Sequence, residues 1–472
     1  MPLSHGIRRF SFLSNKTAET AEKTVKPQRI WPRQGSAEFE AITPPSSTSV
    51  AATSTASLFK DLFQGQLHLE LLEFPELTNR KDVHQVNELH EKLKHFVLRL
   101  LTTLRHGVSI LPCFYLIYLF LIGNLKVNSE KVDHFGSLPS EFWSAISEHG
   151  LFGLQIDQSF GGRGLTNTQA ARAWEAIGLD LSLFIVLDVH SLVYQIIVSA
   201  GTEEQKQHYL PKLTTGEHIG ALCLTEVSSG SDLSAILTDA VLDENEQNYF
   251  INGKKTWVTN GISATLLLVL ARISENRTSL ISRPNITAFL VDRNTSGVGL
   301  GTPLNTLGMR GSGLTDIVLD DVRVPVSNIL GNIGDGIELI QAAIDKQYLN
   351  LASSSVGLLR YLISYATEQC LQRHQFGRPI GDYGLVRAML ADLALNLYAM
   401  ESGVFYFAGL LDAQPSRDLR LELAGLKVFC TEALWNGINA CMQLTGRSGL
   451  MQDVPFSRYL RDCRTLLTYG VC

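Results

Sequence analysis

The sequence predicts an α+β fold in three successive blocks: a helical domain, a β domain and a helical bundle. Three observations carry that expectation. Between Ser57 and about Leu213, apolar residues recur at three- and four-residue spacing, as in "VNELHEKLKHF" and "LPSEFWSAISEHGLFGL". From about Gly220 to Pro325 the period becomes the apolar–polar alternation of strands, as in "NITAFLVDR" and "LTDIVLDDVRVP". From Asn328 onward it returns to helical. There is no βαβ alternation, so a Rossmann domain is not expected despite 38 glycines.

The elements follow in order. The first eighteen residues carry Arg8, Arg9 and Lys16, several serines and no acid, so residues 1–34 read as a mitochondrial transit region. Residues 35–57 are rich in Pro, Ser, Thr and Ala and read as a linker. The N-terminal helical domain spans 58–219. Inside it, at about 98–126, lies an apolar insert. Its core, Gly107 to Leu125, is long enough for a marginal membrane span, and an aberrant buried insert is the alternative. "FGGRGLTNTQAARAWEAIG" reads as a glycine turn, then Thr166 or Asn167 as cap, then a helix. In the β domain, 220–327, "NYFINGKKTWVTNG" predicts a hairpin turning at Asn252-Gly253. The bundle, 328–472, is expected from four segments: "GDGIELIQAAI", "LNLASSSVGLLRYLISYATEQCLQ", "GLVRAMLADLALNLYAMESGVFYFAGLLD" and "LELAGLKVFCTEALWNGINACMQLTG".

Composition sets the outer bounds. With 472 residues, 45% hydrophobic and 18% charged, the chain reads as a soluble globular protein of two or three domains. A net charge of −6 gives no reason to expect a nucleic-acid partner. The seven cysteines show no C-x-x-C spacing, so no metal site is expected and a reducing compartment is the simplest reading.

Three short pieces carry chemistry. "CLTEVSSGSD", from Cys223, is a strand end running into a Ser/Gly turn whose free N–H groups and hydroxyls suit a flavin edge or a phosphate. "KTWVTNG" sets an aromatic face, Trp257, beside a hydroxyl, Thr259. "RHQFGRP", from Arg373, sets basic residues and an aromatic between two helices, where they could meet a pyrophosphate. Taken singly, the first piece reads more simply as a plain turn and the second as a core tryptophan.

In this order and at these separations, together with "GTEEQKQHYLPKLTTGE", "LGMRGS", "VPVSNILGNIGDG" and "RYLRD", the pieces resemble the acyl-CoA dehydrogenase family. The resemblance is strongest to its very-long-chain branch, which includes a member that helps assemble respiratory complex I. It implies an N-terminal helical domain, a middle β-barrel and a C-terminal four-helix bundle. It also implies FAD, a fatty acyl-CoA substrate oxidised at its Cα–Cβ bond, electron-transfer flavoprotein as acceptor, and a homodimer or higher homo-oligomer. Location is then the mitochondrial matrix or inner-membrane face. Matched residue by residue, Cys223, Leu224, Thr225, Gly230 and Ser231 lie along flavin and thioester, with Ser231 also toward substrate. Trp257 and Thr259 flank the flavin. Arg373, Gln375 and Phe376 reach a neighbouring subunit's FAD, and Gln443 and Gly446 meet its adenine side.

The sequence also departs from the family. The resemblance puts the catalytic glutamate at Gly470, after Tyr469, or in a minority of members at Gln347, before Tyr348. Neither residue is a carboxylate. Glu401 and Glu368 are bundle carboxylates expected to be surface or structural residues. Arg447 takes the second of two adjacent family glycines, and Val227 replaces a frequent proline. The family pattern continues past Cys472, so the bundle is expected to be incomplete. Little or no turnover is expected. A catalytically silent scaffold of the complex I assembly type and an unproductive truncated isoform are the alternatives. The small-residue run "LASSSVG" suits a long acyl chain or close helix packing equally.

Overall fold

The structure, a computed structural model, describes residues 132–273 and 285–470. The expected transit region, linker and apolar insert lie outside the described residues.

Among the described residues the helical domain contains α1 (Ser140–Glu148), α2 (Asn167–Ile177), α3 (Leu181–Ala200) and α4 (Glu203–Thr215). Local sequence sets two of the starts. Thr166 caps α2 and Thr202 caps α4, each with a glutamine three residues on returning the bond, so both form reciprocal capping boxes. The first turn of α2 is also held from a distance. Asp412 accepts from the Asn167 and Thr168 backbone N–H groups at 2.7 and 2.9 Å, which places a carboxylate on the helix N-terminus. By length and composition alone α3 could cross a membrane, yet 83% of that stretch is buried in the protein, as befits a core helix.

Among the described residues the middle domain has eight strands: β1 (Gly220–Cys223), β2 (Asp239–Leu242), β3 (Asn248–Val258), β4 (Leu266–Ile273), β5 (Ile286–Asp292), β6 (Val298–Leu300), β7 (Thr315–Pro325) and β8 (Ile329–Leu330). They form one sheet in the order β6-β7-β3-β2-β4-β5-β8, with β1 paired in parallel to β4. The sheet curls around its own core, which includes Ile251, Leu267, Val269, Phe289, Ile317 and Val322.

The expected Asn252-Gly253 hairpin is not formed. Both residues lie inside β3, a continuous eleven-residue strand, at a bulge against β7. The Asn252 side chain exchanges two hydrogen bonds with Asp321, donating at 2.9 Å and accepting at 2.8 Å. A Cβ at position 253 would come within 2.5 Å of Thr238 Oγ1. The Asn-Gly pair therefore serves a strand bulge and not a reversal.

The bundle consists of α5 (Gly336–Gln372), α6 (Gly384–Ala413), α7 (Arg420–Thr445) and α8 (Phe456–Thr468). The first two of the four expected segments are one helix, α5, of 37 residues. Between α5 and α6, His374–Gln375 and Arg378–Pro379 pair as the small antiparallel strands β9 and β10. The small residues of α5 serve helix packing: Ser353, Ser354 and Ser355 are buried, and a Cβ on Gly357 would sit 2.0 Å from the Glu175 carbonyl of α2. Glu401 belongs to the same contact, facing Arg360 at 2.9 Å and Arg172 at 3.3 Å. "LGMRGS" and "RYLRD" meet each other. Buried Asp462 accepts from the Met309 N–H, and a Cβ on Gly308 would be 2.3 Å from the Arg461 carbonyl.

Candidate functional site

The sequence-predicted residues fall into three sets. The first surrounds the end of β1. Cys223 is buried and free, and burial pushes its thiol up to about 12, so it is inert as a nucleophile. The next residues leave the sheet but stay pinned to β3. Lys255 Nζ donates to the Leu224 carbonyl at 3.2 Å, and the Thr256 N–H donates to the Thr225 carbonyl at 2.8 Å. Glu226 and Ser229 close a tight turn by exchanging backbone bonds. Below that turn the Glu226 carboxylate accepts from Lys255 Nζ at 2.7 Å, Leu237 N at 2.7 Å, Thr238 N at 3.0 Å and Thr238 Oγ1 at 2.6 Å. Burial would raise the Glu226 carboxyl, but these donors outweigh it and hold it below its usual range.

The turn thus presents Gly230 and Ser231 outward. Nothing lies within 4 Å of where a Gly230 Cβ would be. Trp257 stands beside this turn with 61% of its surface exposed and a backbone φ of 57°. A large aromatic that is both exposed and left-handed is costly in isolation, which marks a surface built to be covered. Thr259 is buried just beyond. Asn260, which sequence reasoning passed over, locks the arrangement: its Nδ2 donates to the carbonyls of Val186 on α3 at 2.9 Å and Gly220 on β1 at 3.0 Å.

The second set lies at the far end of the bundle. Phe376 tips the β9–β10 hairpin, 95% exposed with φ 53°. Arg373 and Gln375 flank it, both exposed. Gly446, at φ 63°, ends α7, and a Cβ there would meet Arg373 Nη1 at 2.8 Å. Arg373 and Gly446 are therefore neighbours within one chain. Gln443 and Arg447 are exposed on either side of Gly446. No contact described for this set reaches the first.

The third set is buried where α3, α5 and the turn after α8 meet. Gln347 donates through Nε2 to the Asp188 carboxylate and lies 2.7 Å from the Tyr469 hydroxyl. Asn350 Nδ2 donates to Asp188 Oδ1 at 3.1 Å, and the Tyr469 hydroxyl reaches Oδ2 at 3.4 Å. Gly470 follows at φ 82°, with the Tyr348 ring 3.3 Å from where its Cβ would be. The two expected base positions thus converge, and a third residue, Asp188, stands between them. It came to light only in three dimensions, since the sequence shows it as one of several polar residues in a largely apolar helix.

A cleft of about 530 Å³ lined by Thr202, His208, Tyr209, Asp292 and Arg323 shares no residue with any of the three sets. Among the described residues no cluster of His, Cys, Asp and Glu could hold a metal ion.

The comparisons with known proteins bear on family and fold. Residues 120–217, 221–322 and 334–470 match the N-terminal, middle and C-terminal domains of acyl-CoA dehydrogenases. The chain is 31% identical to a potato (Solanum tuberosum) isovaleryl-CoA dehydrogenase over 72% of its own length and 82% of that protein's. A glutaryl-coenzyme A dehydrogenase solved with glutaryl-CoA superposes at a TM-score of 0.70, with 27% identity, covering 82% of this chain and 91% of that one. The chain belongs to the acyl-CoA dehydrogenase family. Within it, the resemblance runs to the very-long-chain branch: the human mitochondrial very long-chain specific enzyme is 32% identical over 88% of the chain. The chain spans 60% of that relative's length.

Proposed function

We propose that the chain is a mitochondrial flavoprotein that binds FAD and a long-chain fatty acyl-CoA for α,β-dehydrogenation in β-oxidation. The observation that carries this reading is the first set: an outward Ser/Gly turn beside an exposed, left-handed Trp257, with the scaffold beneath both locked by the Glu226–Lys255 pair. The residues fit a flavin. The space over Gly230 admits close approach, Trp257 offers an aromatic face, and Cys223 to Thr225 and Thr259 line the strand ends behind them. Ser231 lies on the same turn, toward the substrate. Bound FAD would supply the hydride acceptor, with electron-transfer flavoprotein as the onward partner.

The second set serves the FAD of a second copy. Arg373, Gln375 and Phe376 project from the bundle, with Gln443 and Gly446 alongside, and no described contact joins them to the first set, which suits a shared-cofactor homodimer or larger homo-oligomer. Arg447 adds a cation there that can meet a phosphate. The mitochondrial reading rests on the basic, acid-free N-terminus and on relatives named as mitochondrial. Matrix or inner-membrane face is decided by fractionation.

The lack of a carboxylate at Gly470 and Gln347 favours a second reading, a scaffold that kept cofactor and fold but not the chemistry. One experiment separates the two. The purified chain is examined by visible absorbance and then mixed anaerobically with palmitoyl-CoA. Bleaching of the oxidised flavin band supports the dehydrogenase. A yellow protein that does not bleach supports the scaffold, and a colourless protein refutes both.

A further inference from the structure

Among the described residues, Asp188 is the one carboxylate bonded at the junction of the two vacant base positions. It projects from the middle of α3 and is fully buried. Its two oxygens face donors from two other elements: Gln347 and Asn350 on α5, and Tyr469 after α8. All are neutral. The titratable groups acting on it are the phenols of Tyr469 and, from its own helix, Tyr194. A buried carboxylate with no cation beside it among the described residues is a costly feature for a purely structural network, because an amide or an apolar side chain would fill the space at less expense.

The same surroundings suit a base. Neutral donors hold the carboxylate in place without a positive charge to weaken its basicity. Burial raises its pKa, the hydrogen bonds from Gln347, Asn350 and Tyr469 lower it, and the balance is about 7. General bases work best with a pKa near the operating pH. Tyr469 makes the longest of the contacts, 3.4 Å, and is the one a ligand would displace to reach Oδ2.

We propose that Asp188 is the general base that removes the α-proton of a bound acyl thioester, in place of the carboxylates absent at Gln347 and Gly470. The assignment rests on the acyl-CoA reading above. In the step, the Cα–H bond breaks and the proton forms an O–H bond on Asp188. The released electron pair moves into the thioester carbonyl as an enolate. This half-reaction needs no oxidant, and its reversal returns the thioester. After Asp188 exchanges its proton with solvent, the thioester comes back labelled.

The test is α-hydrogen exchange of palmitoyl-CoA in D₂O with the full chain, read by mass spectrometry beside an equilibrium binding titration. The wild-type chain exchanges above buffer, and Asp188→Asn loses the exchange by about 10²-fold or more. The double variant Asp188→Asn with Gln347→Glu moves the carboxylate across the same hydrogen bond and regains exchange. Three outcomes overturn the assignment: no exchange by the wild-type chain despite binding, unchanged exchange in Asp188→Asn, or a double variant as silent as the single one. Absence of palmitoyl-CoA binding overturns the acyl-CoA reading itself, and the assignment with it.

Discussion

Replacing Glu226 by alanine tests what holds the turn of the first set. The Lys255 ammonium is wholly buried, and its ion-pair partner is the Glu226 carboxylate at 2.7 Å. Removing one partner of such a pair leaves an uncompensated buried charge, at a cost of about 3–5 kcal/mol. The Leu237 and Thr238 N–H groups lose their acceptor in the same change. At roughly 2–4 °C per kcal/mol for a domain of this order of size, the melting temperature should fall by about 10 °C. Circular dichroism measures the melt, and flavin fluorescence measures cofactor release, which should come earlier in the variant. The double variant Glu226→Gln with Lys255→Met leaves no buried charge and should recover most of the loss. A single variant within about 1 kcal/mol of wild type would refute the reasoning. So would a double variant no better than the single one, because the buried charge would then not be the cause.

Three further outcomes are expected. Burial pushes the His190 imidazole down from 6.5 to about 4, against the pull of the Leu213 and Phe152 carbonyls, and its Nδ1 accepts from the Gly220 N–H. The folded pKa lies below the unfolded one, so the contribution is complete above pH 6.5 and is lost as pH falls through 4. Denaturant titrations at pH 7 and pH 4 should differ by about 3 kcal/mol from this group, and a His190→Gln chain should lose that part of the acid sensitivity. Gly357→Ala drives a methyl into the Glu175 carbonyl and should destabilise by about 1–3 kcal/mol, read by chemical denaturation. Trp257→Ala removes an exposed side chain, so it should leave the melting temperature of the flavin-free chain within about 1 °C. It should weaken flavin retention at least tenfold on dialysis.

What the sequence made legible was local. Thr166 could be read as a helix start because both halves of its capping box lie within four residues. The Asn252-Gly253 pair misleads because its deciding partner, Asp321, is 69 residues away. The break expected within α5 has a similar origin. Asp345, Gln347 and Asn350 interrupt the apolar period, yet all three are buried in an unbroken helix. The polar residues that spoil the pattern include those facing Asp188. The flavin-face and hairpin motifs could be named from the sequence because each is contiguous. Asp188 could not, since its partners lie 159 and more residues along the chain.

The unbroken run of α5 makes it a ruler. At 1.5 Å per residue its 37 residues span roughly 55 Å, with Gln347 in its first third and Arg373 immediately after its last turn. About 39 Å and a fixed angular phase therefore separate Gln347, in the buried set around Asp188, from the hairpin that faces outward. A single inserted residue between them would lengthen the rod by about 1.5 Å and rotate one end against the other by about 100°. Such an insertion would leave both local structures intact and still put them out of register. The spacing between the two ends is thus a property of one helix, and evolution can tune either end without disturbing the other only by keeping that count.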